Sequence, residues 1–463
     1  MADPDAFLPF AERMRAEGLP EIVIQTFRYY YAQLERGETG LVCDAEVHPV
    51  AGLPDAERLP ESLADAGRRA LPHTVLIKLN GGLGTGMGLE RAKSLLRVKG
   101  NLTFLDVVAR QALRCRVPLV LMNSYNTHDD SLAALRPYPA LSGALPPDFV
   151  QYKVPKVRVA DLRPIEWPAN PALEWCPPGH GEIYGALMTR GMLAKMLAAG
   201  YEYAFVSNID NLGAGMDLRL LGYFVVHNLP FMMEVTDRTD ADRKGGPLVR
   251  RKADGRYLLW ESASCPAEDQ GAFQDIRRHC YFNTNNLWLN LAALRTELAA
   301  REGILGLPMI RSRKTVDPRD ARSAAVYQLE TAMGAAISIF KGAEAIRVPR
   351  ARFAPVKSCD DLLAVRSDAY VLTEDHTIRL DPARYAMPPS IALDPAYYRL
   401  VDEMEARFPF GPPSLRGCER LIVRGDVRFG RDVVVTGSVE LVNRHQHQIG
   451  VKDGTVLTGN YSW

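Results

Sequence analysis

T-V-L-I-K-L-N-G-G-L-G-T-G-M-G-L-E-R-A-K, Thr74 to Lys93, is the stretch from which the rest of the chain is read. Val75 to Leu79 is an apolar strand broken only by Lys78, and it runs into a turn with glycines at 81, 82, 84, 86 and 88. Glycine tolerates positive φ and lets backbone come close to a ligand. Amide N–H groups bunched in such a turn make a concave anion site. Lys93, at the start of a predicted helix, adds a mobile point charge. The combination predicts a loop that cradles a nucleotide triphosphate; an ordinary tight connection is the alternative. Neither standard phosphate motif is present, since no Gly-Lys-Ser/Thr closes a P-loop and a dinucleotide fingerprint wants an acid about 20 positions on. The nearest acid, Asp106 in F-L-D, reads as a helix cap.

Outward from that loop, strands and helices alternate. Val117–Met122, Tyr203–Ser207, Phe231–Val235 and Asn286–Leu291 read as strands, and Ala186–Ala199 as a helix closed by Gly200. Such alternation predicts a mostly parallel sheet with helices on both faces, with ligands at the carboxyl ends of the strands. Upstream, residues 5–36 carry helical spacing interrupted at Gly18-Leu19-Pro20, and a short helix is expected near 54–70. After residue 374, prolines mark a loop-rich connection. A hexapeptide repeat follows: Leu421, Val427, Val433 and Val439 form one track, and Val423, Phe429, Val435 and Leu441 a second. Two inward apolar residues per short strand predict a parallel β-helix of little more than one coil; a plain β-meander is the alternative. The expected units are an N-terminal helical segment, 1–73, packed on the catalytic domain; a catalytic domain, 74–374; and a linker with a short β-helix, 375–463.

The composition narrows the function. The 463 residues carry 56 basic and 55 acidic side chains, so no general charge draws the chain to nucleic acid or to an acidic membrane. Seven cysteines lie scattered without a C-x-x-C pair, which fits reduced thiols rather than a zinc or redox motif. No uncharged apolar run approaches the roughly 18 residues of a membrane span, and the first residues lack an apolar signal core. A soluble, cytoplasmic protein is expected.

Polar clusters close the predicted strands. Asp210, in S-N-I-D-N, is the best metal candidate, because a carboxylate there suits Mg²⁺ completed by phosphate oxygens; an Asx-turn is the alternative. His180, between glycines in P-P-G-H-G, has little to pack against and reads as a ligand contact. His128 with Asp129 and Asp130 reads as a helix start rather than a metal cluster.

These motifs together resemble the UDP-glucose pyrophosphorylase family, the UTP–glucose-1-phosphate uridylyltransferases, in its eukaryotic-type form. The resemblance rests on K-L-N-G-G-L-G-T-x-M-G, L-M-N-S-Y-N-T-H-D-D, E-W-x-P-P-G-H-G-E-I-Y, N-x-D-N-L-G, M-E-V-T-x-R-T-x-A-D-x-K-G-G, F-N-T-N-N-L-W, Q-L-E-T-A-x-G-A-A-I and R-F-x-P-V-K, collinear over about residues 70–370. It implies a Rossmann-like, GT-A-like mixed sheet and a left-handed C-terminal β-helix. It implies transfer of uridylyl from UTP to glucose 1-phosphate with Mg²⁺. By resemblance Leu79, Asn80, Gly81 and Gly82 hold the nucleotide through backbone groups, and Lys93 touches the triphosphate. Gln151 reads uracil, and Gly179 lies against the base. Asn208 and Asp210 hold ribose and Mg²⁺, and Lys357 bridges both phosphate groups. His180 faces the sugar phosphate, while Gly246, Glu261, Asn283, Asn285 and Asn286 contact the hexose. Lys93, Lys357 and Asp210 are the expected catalytic groups. The chain departs from the family pattern at Gly86, at Arg91-Ala92 and at Ile209. Another hexose 1-phosphate, a nucleotide-sugar-dependent glycosyltransferase and a silent scaffold are the rival readings. The open ends of a β-helix offer a surface for a homo-oligomer.

Overall fold

The computed structural model describes residues 6–141, 143–384 and 387–463. Seven strands form its central sheet: β1 (Thr74–Asn80), β2 (Leu119–Asn123), β3 (Asp148–Val150), β4 (Tyr203–Asn208), β5 (Phe231–Asp237), β6 (Tyr281–Asn290) and β7 (Glu344–Arg347). Their order is β7-β5-β6-β4-β1-β2-β3. Strands β1 to β4 pair in parallel, as do β5 and β7, while β6 runs antiparallel between β4 and β5. The sheet is therefore mixed, and less parallel than alternation alone predicts.

Side chains alternate across the sheet because successive Cβ atoms point to opposite faces. Val75, Ile77, Val120, Met122, Ala204 and Val206 join one core cluster. Leu76, Leu119, Leu121, Phe205 and Trp288 join the other. On the first face lie the helices Ile183–Thr189, Met192–Ala198 and Leu291–Ala300. On the second lie Phe104–Cys115 and Leu218–Val226. The single helix expected over 186–199 is two, because Gly191 takes a left-handed φ of 68° between them. Thr103 and Asp106 form the capping box of Phe104–Cys115, so Asp106 is a cap as read. Lys93 opens only a single 3₁₀ turn, Lys93–Leu95, rather than an α-helix.

The N-terminal helices Leu8–Ala16 and Glu21–Glu35 bury Phe10, Met14, Ile24, Phe27 and Tyr31 against Val154, Val157, Met309 and Leu329. The C-terminal strands stack as β8 (Ser390–Leu393), β9 (Cys418–Arg424), β10 (Val427–Phe429), β11 (Val434–Val435), β12 (Gly437–Val442), β13 (Ile449–Val451), β14 (Val456–Leu457) and β15 (Asn460–Ser462). Three parallel sheets result: β8-β9-β12-β15, β10-β13 and β11-β14. That rules out a meander, and the chain completes two coils and begins a third. All eight residues of the two hexapeptide tracks are buried, at 0–2% exposure, each contributing roughly 1.5–3 kcal/mol by burial. Leu421, Val423, Phe429 and Leu441 belong to the same cluster as Phe205 and Trp288, so the coil shares one apolar core with a face of the sheet. The expected boundary at 374–375 falls at the tip of a hairpin, Tyr370–Leu372 with Ile378–Leu380. Among the described residues no helix is long and apolar enough to cross a membrane.

Candidate active site

Strands β1, β2 and β4 finish at one edge of the sheet in Asn80, Asn123 and Asn208. Asn80 Nδ2 donates to Asn123 Oδ1 at 2.7 Å and to Ser131 Oγ at 2.7 Å. Its side chain is thus turned inward, which leaves its backbone for a ligand. The glycine loop springs from this edge. Ser124 Oγ donates to the Gly81 carbonyl at 2.8 Å, and Lys93 N–H to the Gly82 carbonyl at 3.1 Å. Gly84 and Gly88 take φ of 71° and 77°, where a side chain is strained. A Cβ on Gly81 would stand 3.2 Å from Gln151 Nε2, so loop and amide share one wall of the site. Gln151 follows β3, and its N–H donates to the Asn123 carbonyl at 2.8 Å.

The two lysines meet over Asp210. Lys93 Nζ lies 2.7 Å from Asp210 Oδ2 and donates to the Val356 carbonyl at 2.5 Å. Lys357 Nζ lies 3.6 Å from the same carboxylate oxygen. The Lys93 side chain is 13% exposed and that of Lys357 60%, so one cation is held and the other reaches out from the surface. What brings them together is Asn211. Its Nδ2 donates to Asn286 Oδ1 at 3.0 Å and to the Arg352 carbonyl at 3.1 Å, and its Oδ1 accepts from Gly213 N–H at 3.1 Å and Ala354 N–H at 2.9 Å. The turn anticipated at Asp210 is therefore closed by Asn211, which frees the Asp210 carboxylate to face the lysines. Val356 N–H donates to the Asp210 carbonyl at 3.1 Å and completes the splice.

The opposite wall is the Pro178–Gly181 turn. Gly179 has φ of 84°, and a Cβ there would lie 2.4 Å from the Thr331 carbonyl oxygen, so no other residue fits. His180 Nδ1 accepts the Met333 N–H at 3.0 Å. The ring proton of the neutral imidazole therefore sits on Nε2. Burial, with the Lys357 charge adding to it, pushes the His180 pKa down to about 4. Near neutrality this ring is an uncharged donor.

Of the residues expected at the hexose, Gly246 lies beside Glu261, and Asn283, Asn285 and Asn286 follow one another on β6. A Cβ on Gly246 would stand 3.1 Å from Glu261 Oε2, and burial raises the pKa of Glu261. Strand β6 bulges opposite Glu234 and Val235, so that Thr284 and Asn285 have no partner on β5. Asn285 sits at φ of 58° and accepts at Oδ1 from Asn283 Nδ2 at 2.8 Å. Asn286 is placed differently: it is fully buried, and its Nδ2 donates to Glu234 Oε2 at 3.0 Å and to the Arg352 carbonyl at 3.2 Å. With its oxygen also taken by Asn211, it braces the site instead of facing it.

Glu234, Arg352, Asn211 and Lys78 were not singled out from sequence. A signal was present, since Glu234 interrupts F-M-M-E-V, and a carboxylate in an apolar strand needs a buried partner. Lys78 is wholly buried and donates to Ser207 Oγ at 2.6 Å and the Ala214 carbonyl at 3.0 Å. Burial, with repulsion from Arg352, lowers its pKa to about 7 against the opposing pull of Glu234 and Asp210. The glycine loop and two lysines around one carboxylate gather N–H donors and positive charge of the kind that suits a polyphosphate. His128, by contrast, opens the helix His128–Leu135 and its Nδ1 meets Asp148 Oδ2 at 2.6 Å.

Known proteins are similar to this chain in sequence and in fold. The sequence profile of the UTP–glucose-1-phosphate uridylyltransferase family matches residues 24–436. The chain is 40% identical to UTP–glucose-1-phosphate uridylyltransferase of Solanum tuberosum over 398 residues, 84% of this chain and 81% of the relative. It is 39% identical to that of Saccharomyces cerevisiae over 413 residues, 87% of this chain and 80% of the relative. Among solved structures, a point variant of UDP-glucose pyrophosphorylase from Leishmania major in complex with UDP-glucose superposes with a TM-score of 0.92 at 42% identity, covering 100% of both chains. UDP-glucose phosphorylase from Trypanosoma brucei gives 0.90 at 44% identity, covering 99% of both.

Proposed function

The chain belongs to the UTP–glucose-1-phosphate uridylyltransferase family, and we propose that it runs the family's reaction through Lys93, Lys357 and Asp210. It is a nucleotidyltransferase that joins UTP and glucose 1-phosphate into UDP-glucose and pyrophosphate. The observation that carries the residue assignment is the convergence of both lysines on Asp210 Oδ2.

A phosphate oxygen of glucose 1-phosphate attacks the α-phosphorus of UTP. A new P–O bond forms as the bond to the β-phosphate oxygen breaks, and pyrophosphate leaves with that electron pair. The nucleophile arrives already ionised, so no side chain needs to accept a proton. The difficulty is holding two polyanions in line while charge grows on the leaving oxygen, and positioning with fixed charge answers it. Lys93, already fixed on Asp210, meets the triphosphate; Lys357 swings to bridge the two phosphate groups; the amides of Leu79–Gly82 hold the nucleotide. Gln151 and Gly179 frame the base, with Asn208 at the ribose. His180 offers Nε2–H to the sugar phosphate. Gly246, Glu261, Asn283 and Asn285 line the hexose side.

Asp210 fits Mg²⁺. Both lysines take Oδ2, which leaves Oδ1 for a hard cation. Among the described residues no group of three His, Cys, Asp or Glu side chains can hold a metal alone. Mg²⁺ takes one or two carboxylates and completes its shell with phosphate oxygens and water, so Asp210 would hold it together with the triphosphate. When bound, the ion neutralises charge on the α-phosphate and the leaving group. The C-terminal coil is read as left-handed, with its open ends the surface for any self-association. A cytoplasmic location agrees with seven free cysteines.

The test is pyrophosphate release from UTP mixed with a panel of sugar 1-phosphates. Glucose 1-phosphate is expected to give the highest kcat/KM, well above galactose 1-phosphate and the N-acetylhexosamine 1-phosphates, and chelation of Mg²⁺ to abolish turnover. No release across the panel overturns the reading.

A further inference from the structure

Behind Asn211 and the segment that carries Lys357 lies a buried ionic network. Glu234, on β5, is fully buried. Its carboxylate accepts from Arg352 Nε at 2.7 Å, Arg352 Nη2 at 2.7 Å, Asn286 Nδ2 at 3.0 Å and Trp288 Nε1 at 2.9 Å. Arg352 Nη2 also donates to the Gly215 carbonyl at 3.0 Å, and the Arg352 side chain is 13% exposed. Its own carbonyl takes the amides of Asn211 and Asn286. A Cβ on Gly213 would fall 2.7 Å from the Arg352 carbonyl carbon, so that turn presses directly on the segment.

We infer that Glu234 and Arg352 are positioning residues that set where Lys357 stands over Asp210. Arg352 stands five residues before Lys357, and Val356, fully buried in the apolar core, lies between them. From Arg352 the chain runs through Ala354 on Asn211 and Val356 on the Asp210 carbonyl, and the Val356 carbonyl itself receives Lys93. A bidentate guanidinium–carboxylate pair fixes direction as well as distance, which a point charge cannot do. A shift at Arg352 therefore reaches Lys357 through the backbone, while Lys93 stays held by its own ion pair with Asp210. Small misplacement of a charge that acts in the transition state is costly, on the order of 10²-fold per ångström.

The inference rests on the uridylyl-transfer reading, and the wild type measured alongside tells the two apart: a wild type without turnover overturns that reading, not the coupling alone. The experiment is a double-mutant cycle on kcat with Arg352→Lys and Lys357→Ala. Lys357→Ala is expected to lower kcat roughly 10²–10³-fold, the size of one preorganised charge contact. Arg352→Lys, which keeps the charge and loses the fork, is expected to lower kcat about 10-fold or more in the wild type and less than about 2-fold in the Lys357→Ala background, by the logic of coupled sites. A purely structural lesion lowers the thermal midpoint and leaves kcat per folded molecule alone, or multiplies in the double variant; either result overturns the inference. Should Arg352→Lys fail to fold, Glu234→Gln takes its place in the same cycle, and failure of both to fold assigns the pair to the scaffold and overturns positioning.

Discussion

His180 stands between two glycines, yet its proton is set by Met333 and by the charge of Lys357. Its pKa in the folded chain, about 4, lies below the free value of 6.5. Between those values the unfolded chain binds a proton that the native state refuses. Stability from His180 is therefore complete above about 6.5 and is lost as pH falls through about 4. Glu182, whose pKa burial raises to about 8, has the opposite sign, and it cancels when two proteins that both carry it are compared. The thermal midpoint of the wild type is expected to fall more steeply than that of His180→Gln over this window; parallel curves in scanning calorimetry would count against it. The residue scale was half legible. Glycine neighbours disclosed that His180 sits in a turn rather than on an apolar face, but its burial and its tautomer depend on distant residues, the tautomer on an amide 153 positions away. Asp210 was legible as a carboxylate at a strand end, where the structure sets it against Lys93 and Lys357. That Asn211 and not Asp210 closes the turn was not, because both side chains form the same local bond.

At the scale of elements, the short splice between the end of β4 and the segment 352–357 does what no single strand does. It lies on Asn211, 3% exposed and bonded through both side-chain atoms. Asn211→Ala leaves the Gly213 and Ala354 amides and the Arg352 carbonyl without this partner in a closed space. The expected loss is roughly 2–4 kcal/mol, read as a shift in denaturant midpoint at constant m-value, accompanied by a fall in kcat. A shift under about 1 kcal/mol would mean that the segment is held from elsewhere. Continuous apolar runs disclosed most of the sheet, because burial on both faces demands them. They did not disclose that β6 runs against its neighbours, since a buried strand reads alike in either direction. Nor did they show its bulge, where Thr284 and Asn285 step out of register under side-chain bonds to Glu234 and Asn283.

At the scale of the whole molecule, one of the apolar clusters reaches from Leu76 in the sheet to Leu457 in the coil. Tyr398 and Phe408 sit inside it, with Tyr398 OH donating to the Val427 carbonyl at 2.5 Å. Catalytic sheet and C-terminal coil are expected to unfold in one cooperative transition; two separate calorimetric peaks would overturn this. The hexapeptide tracks were legible from spacing alone, because inward positions recur every six residues. Fusion of the coil with the sheet was not, because the apolar residues of the Pro-rich connection carry no period that names their partner. Gly88, near the tip of the glycine loop, lies against the side chain of Leu400 in that connection. One last consequence concerns time. Lys93 and the Val356 carbonyl that holds it are 263 positions apart. At ribosomal rates of about 5–20 residues per second, roughly 13–50 seconds pass between the emergence of the two. Throughout that interval the newborn chain has a glycine loop but no Lys357 and no finished splice, so Lys93 meets the carbonyl that holds it only late in synthesis.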